Sequence, residues 1–354
     1  MGNNKSSDLS GNASARTTAP SGHGRLTGPL GTRPLVAPEL LPGLEVLPSF
    51  DFTEEILQAI RAGGPIVMPM APPPLSPEQQ AVVCEQQFVP GPAGAPDVRV
   101  LVYTPPARNA GRLPAFLHIH GGGYILGTPE INDGMNRSLA AELGCIIVSV
   151  DYRLAPETRF PGAIEDCYAA LAWLHKRADQ LGADTTRIAL GGESAGGGHA
   201  AALALLVRKR REFRICLQLL DSPMLDDRTC SASDPHPYCG EFVWTRNSNR
   251  FGWRALLGVE PGGPDVPVEA VPARAEDLSG LPPTFIAVGA LDLFLEESIE
   301  YARRLIRAGV PTELHVTPGA YHGFSVAGGN TPQVQDHLRA RSAALARALQ
   351  PKHG

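Results

Sequence analysis

The sequence has no long apolar run. Its most apolar windows, such as Cys145–Val150 and Ala200–Val207, are far too short to cross a bilayer, and mean hydropathy is only −0.08. Positive charge is not in excess either. Thirty-one Lys and Arg against 36 Asp and Glu give a net charge of −5, which excludes a globally basic nucleic-acid binder and offers nothing to an anionic membrane surface. Closely spaced cysteine pairs are missing too. The six cysteines (84, 145, 167, 216, 230 and 239) are scattered, which excludes a disulfide-framework scaffold. Cys230, His236 and Cys239 match no usual metal spacing and lack an evident fourth ligand. Neither a metal nor a cofactor is expected. No apolar signal core is read near the start, so residues 1–34, small and polar, read as a flexible tail and the expected location is cytoplasmic.

Glycine and proline are abundant. Together they make 72 of 354 residues, about 20% against a usual 12% or so. Hydrophobic residues at 43% are ample for a core, so the surplus belongs to a folded protein with unusual backbone at particular places. Nine of the 38 glycines fall in two short windows, 120–127 and 191–198, and twelve of the 34 prolines lie in the first 77 residues.

Residues 35–80 form a Pro-rich entry with one helical candidate. Asp51 or Thr53 can cap it, Glu54 and Glu55 suit its first turn, and it stops before Gly63-Gly64-Pro65. Beyond it, strands alternate with helices. Val82–Phe88 and Val98–Tyr103 read as an antiparallel pair. Strands follow at Ala115–His120, Cys145–Val150, Arg187–Gly191, Ile215–Leu220, Thr284–Gly289 and Glu313–Thr317. Helices are expected at Asn136–Leu143, Gly162–Leu181, Ala195–Arg211, Leu295–Ala308 and Val334–Leu349, whereas 223–280 reads as irregular. This alternation predicts an α/β fold with a mainly parallel sheet flanked by helices, over about residues 81–354. Ligands on such sheets bind beyond the carboxyl ends of the strands.

Four groups follow those strand ends. Gly192-Glu193-Ser194-Ala195-Gly196 is a GxSxG sequence between a strand and a helix, the context that exposes a serine nucleophile on a sharp turn. His120-Gly121-Gly122-Gly123 follows another strand; its glycines let backbone N–H groups converge on an oxyanion. His322 follows the last strand, where it can reach a serine in mid-sheet as general base. Asp292 follows Thr284–Gly289 and suits the carboxylate that orients a histidine, with Asp221 as the competing candidate. The order Ser194, Asp292, His322 is the chain order of α/β-hydrolases.

These motifs resemble the hormone-sensitive-lipase family of α/β-hydrolases, the bacterial family IV esterases. The resemblance runs from about residue 82 to 327 through His120–Gly127, Asp151-Tyr-Arg-Leu-Ala-Pro-Glu157, Gly192–Gly197, Asp292 and Tyr321–Phe324. It departs at Glu193, where Asp or Thr is usual, and at Asp292-Leu293-Phe294, where the family often reads Asp-Pro-Leu. The resemblance implies an oxyanion hole from the N–H groups of Gly122, Gly123 and Ala195. It implies a cap from about residues 35–80 over the catalytic domain, with part of 223–255 joining cap and pocket. His120 would order the glycine loop, and Arg153 and Glu157 would serve as ion-pair and loop-shaping residues.

Together these readings predict a serine carboxylesterase for small-molecule esters of short to medium chain. The alternatives are an amidase, lactonase or deacetylase with the same triad, and a non-catalytic receptor on the same fold. Tyr124, Trp244 and Phe324 are the pocket candidates, with Trp253, Tyr321 and the stretch Met68-Pro69-Met70 behind them. No nucleic-acid or membrane partner is expected; a homodimer is compatible with the resemblance. Arg208–Arg211 reads as cations at a helix C-terminus, and Glu165 and Asp166 as acids on a solvated helix face.

Overall fold

A computed structural model describes residues 31–47, 50–63, 74–106 and 111–351. Most of the expected tail and the stretch Met68–Met70 lie outside the described residues. The strands are β1 Val83–Val89, β2 Val98–Thr104, β3 Leu113–Ile119, β4 Ile146–Asp151, β5 Ala183–Glu193, β6 Leu217–Asp221, β7 Thr284–Gly289 and β8 Thr312–Thr317. They form one sheet in the order β1-β2-β4-β3-β5-β6-β7-β8. β1 and β2, and β2 and β4, pair antiparallel; every pair from β4 onward across the sheet is parallel.

The described helices of eight or more residues are α1 Glu54–Arg61, α2 Asp133–Leu143, α3 Gly162–Lys176, α4 Ala195–Arg210, α5 Arg246–Leu257, α6 Leu295–Arg307 and α7 Pro332–Leu349. Strand alternation divides the core between them. Ala115, Leu117 and Ile119 of β3 pack with α3, α4 and α6, while Phe116, with Ala189, Leu219 and Phe285, packs with α2 and α7.

Three expectations change. The segment 223–280 is not wholly irregular, because α5 runs through it. Thr245 caps that helix by accepting the Ser248 N–H (3.1 Å), and Gly258 ends it at φ 73°. The helix expected over 162–181 ends at Lys176, and a separate short turn covers Ala178–Leu181. Asp166 is not solvated. It is fully buried and takes the Arg153 guanidinium on both oxygens, at 2.7 and 2.8 Å.

The segment before β1 lies against the carboxyl side of the sheet. Val36 and Leu40 pack with Tyr321 and Phe324, and Leu57 of α1 packs with Tyr124, Trp244 and Trp253. Arg61 closes α1 onto the loops below. Its guanidinium donates to the carbonyls of Ile125 (2.8 Å) and Ala155 (2.7 Å) and pairs with Glu157 at 2.7 Å.

Candidate active site

Ser194 lies between β5 and α4 with φ 55° and ψ −119°. Such backbone costs on the order of 1–3 kcal/mol in a residue with a side chain and persists only where its surroundings hold it. Here the Ser194 N–H donates to the Asp221 carbonyl at 2.8 Å, and its own carbonyl accepts from Gly198 and Met224, each at 3.0 Å. The flanking glycines are a packing requirement. A Cβ at Gly192 or at Gly196 would stand 2.0 Å from the Ile119 carbonyl oxygen. The G-x-S-x-G spacing is therefore how the turn clears the end of β3.

The glycine loop after β3 lies against this turn. A Cβ at Gly121 would come 2.9 Å from the Glu193 carbonyl oxygen and 3.4 Å from the Ser194 Cβ. Gly122 and Gly123 have φ of 119° and 61°, which favour glycine. No protein acceptor is found for the N–H groups of Gly122, Gly123 or Ala195 among the described residues. His120 anchors the loop: its Nδ1–H donates to the Gly121 carbonyl at 2.8 Å, and burial pushes its pKa down to about 4, so the ring is neutral.

His322 follows β8 and brings the other two groups together. Its Nδ1 is 2.9 Å from Asp292 Oδ2, and its Nε2 is 3.1 Å from Ser194 Oγ. Asp292 is fully buried, and its second oxygen accepts the Phe294 N–H at 3.0 Å. Asp221, the competing carboxylate, makes no hydrogen bond to His322. It accepts from His337 Nε2 (2.9 Å) and from Arg341 (2.8 Å) of α7. Burial works to raise its pKa, but the charges of His337 and Arg341 outweigh that and hold it at about 2.

The aromatic candidates lie at different depths. Trp244 lies between the glycine loop and His322. Its ring would be struck by a Cβ at Gly123 (2.1 Å), its centroid is 6.5 Å from that of His322, and its Nε1–H donates to Asn249 at 3.2 Å. Phe52, from the segment before α1, packs on it at 5.6 Å between ring centroids. Tyr124 is buried and donates its hydroxyl to the Met224 carbonyl at 3.1 Å. Phe324 is buried with its ring against His337 at 5.0 Å, and Trp253 packs on Tyr124 at 5.1 Å.

Sequence reasoning missed two contributors. Glu193 extends from the elbow to His118 Nε2 (3.0 Å) and to Arg341 (2.7 Å), and Arg61 ties α1 to the loop after Gly123. The signal for the first was present. Glu193 and His118 stand on the strand parity that faces α7, where apolar residues are expected.

With this geometry in view, comparison with known proteins identifies the class. Residues 116–326 match the model of the alpha/beta hydrolase fold family, and the chain belongs to it. Within that class it belongs to the hormone-sensitive-lipase group. It is 33% identical to Esterase LipI of Mycobacterium tuberculosis, over 85% of this chain and 91% of that one. It is 34% identical to Carboxylesterase NlhH of the same organism, over 92% and 99% respectively. Among solved structures it is similar to a bacterial heroin esterase, with a TM-score of 0.80 and 36% identity, covering 90% of this chain and all of that one. No described helix is long and apolar enough to cross a membrane.

Proposed function

We infer that the chain is a carboxylic ester hydrolase that acts through a Ser194 acyl-enzyme on short- to medium-chain esters of small molecules. The observation that carries the reading is the continuous relay from Asp292 through His322 to Ser194, at 2.9 and 3.1 Å. His322 Nε2 takes the Ser194 proton as Oγ bonds to the ester carbonyl carbon. The carbonyl oxygen becomes an oxyanion held by the free N–H groups of Gly122, Gly123 and Ala195, each worth about 2.7–4 kcal/mol in comparable sites. The C–O bond to the alcohol then breaks, and His322 returns its proton to the leaving oxygen. Water, deprotonated by His322, attacks the acyl carbon and frees Ser194 and the acid. Asp292 keeps the imidazole in the tautomer with Nδ1 protonated and stabilises imidazolium.

Residues 35–80 with α5 serve as the cap, which excludes water and limits chain length. Phe52 and Leu57 around Trp244 support this part of the reading. Tyr124 shapes the pocket from behind through the glycine loop it adjoins, and Phe324 supports the chain segment that carries His322. A cytoplasmic homodimer completes the proposal and rests on the sequence reading and the family resemblance; sedimentation would read the dimer as twice the 37.5 kDa chain mass.

The test is a p-nitrophenyl ester series from acetate to palmitate with the wild type and Ser194→Ala. We expect wild-type turnover to peak at short to medium chains and the variant to lose about 10⁴-fold or more in kcat. A variant with comparable turnover refutes the mechanism.

A further inference from the structure

The face of the sheet beneath Ser194 carries a buried ionic cluster that the hydrolytic relay does not use. Glu193 immediately precedes Ser194, and Asp221 supplies the carbonyl that accepts the Ser194 N–H. The two residues are register partners of β5 and β6. Both carboxylates converge on one guanidinium. Arg341 of α7 is 4% exposed and lies 2.7 Å from Glu193 and 2.8 Å from Asp221. His337, one turn earlier on α7, gives a second bond to Asp221 at 2.9 Å. From β3, His118 Nε2 meets Glu193 at 3.0 Å, while its Nδ1 faces Ser149 Oγ (2.9 Å) and the Asn136 amide (3.3 Å).

Two features separate this cluster from ordinary core packing. It is attached to the strained serine twice, through Glu193 next to it in the chain and through the Asp221 backbone whose carbonyl accepts the Ser194 N–H, so α7 bears directly on the elbow. It is also unbalanced: two carboxylates face one guanidinium, an excess of one negative charge among the groups other than the two imidazoles. That charge lies within electrostatic reach of His322, whose hydrogen-bond partners are Asp292 and Ser194.

We propose that Arg341 is a positioning residue for this hydrolase: its guanidinium clamps Glu193 and Asp221, fixes the turn that presents Ser194, and limits the negative potential felt by His322. The proposal rests on the reading of Ser194 as nucleophile. A fork is needed here because a guanidinium can donate to two carboxylates in fixed directions, whereas an ammonium is a point charge.

The test compares Arg341→Met, Arg341→Lys, Glu193→Gln and the double variant Glu193→Gln/Arg341→Met with wild type on p-nitrophenyl butyrate. Active sites are counted with a fluorophosphonate, and melting temperatures are recorded. Arg341→Met takes the guanidinium from both carboxylates and adds one negative charge to the cluster, so imidazolium at His322 is favoured. The acid limb of kcat/KM should rise by about half a pH unit or more. kcat per active site should fall about tenfold with KM within twofold. The double variant restores the charge balance and should return the limb to its wild-type position while kcat stays low. Arg341→Lys should keep the limb and lose kcat severalfold. Glu193→Gln removes one negative charge and should shift the limb downward.

If Arg341→Met does not fold, the limb in Glu193→Gln and kcat in Arg341→Lys decide. A limb unmoved within 0.2 units or so in the folded charge variants, with kcat per site unchanged, overturns the proposal even where melting temperature drops. Undiminished turnover in Ser194→Ala would instead remove the reading on which it rests.

Discussion

His199 provides a stability experiment whose size follows from the structure. It sits on α4, buried between Tyr124 (4.6 Å) and Tyr152 (5.0 Å), with no partner for its Nε2 among the described residues. Burial, with a smaller contribution from the neighbouring His120 imidazole, pushes its pKa down to about 3. The unfolded chain regains about 6.5. A depressed folded value means the unfolded state binds the proton first. The contribution to stability is therefore present above pH 6.5 and is lost as pH falls toward the folded value. At pH 5 the loss from His199 is about 2 kcal/mol, and near pH 5.5 its slope is about 1.2 kcal/mol per pH unit. His120, held near 4 by burial, adds a similar amount. Glu297 opposes them. Burial raises its pKa well above the ordinary carboxylate value, so its contribution is present at low pH and is lost as pH rises. The total slope mixes these terms, and the difference between two proteins isolates one. His199→Phe keeps a ring against both tyrosines and deletes the titration. Urea unfolding at pH 7.5, 6.5, 5.5 and 5.0 should give a slope for the variant shallower than wild type by about 1.1 kcal/mol per unit on average between 6.5 and 5.0, with unchanged m. Parallel curves, within about 0.3 kcal/mol per unit, would refute the claim that His199 is neutral in the folded protein.

Two further outcomes follow from the site. Asp292→Asn should lose about 10⁴-fold in kcat with little change in KM, because the amide cannot hold the Nδ1–H tautomer of His322; steady-state kinetics that show a loss below tenfold would transfer the carboxylate role elsewhere. Gly196→Ala puts a Cβ 2.0 Å from the Ile119 carbonyl oxygen and 2.5 Å from that of His120. Both obstacles are backbone, so we expect a destabilisation of about 3 kcal/mol or more and a lost rate of fluorophosphonate labelling; wild-type labelling by a folded variant would contradict the close approach described for the elbow.

Most of the sheet and the juxtaposition of Ser194, Asp292 and His322 were legible because each rests on a local signal. A strand is an apolar run bounded by turn residues, and Ser194, Asp292 and His322 each follow such a run. α5 was hidden because its glycine and polar residues oppose helix formation locally. Gly252 lowers propensity by about 1 kcal/mol, yet a Cβ there would meet the Gly123 carbonyl oxygen at 2.6 Å. The residue that disguises the helix is the one that lets it pack on the glycine loop, and nothing near it in sequence says so.

The charged residues that were misread or missed follow a common rule. Asp166 falls three residues after Ala163 and four before Ala170, on the stripe that α3 buries. Glu193, Asp221 and His118 fall on the strand parity of Ala189, Leu219 and Phe116. In each case the period predicted burial and the residue type predicted solvent. The structure sides with the period, because a partner absorbs the charge: Arg153 for Asp166, and Arg341 for Glu193 and Asp221. Those partners lie 13, 148 and 120 residues away in the chain, beyond any local pattern. An unpaired charge at such a position would cost several kcal/mol. A charged residue on a buried period is thus a statement that a distant partner exists. The sequence supplies the demand for the pair, and only the fold supplies its other half.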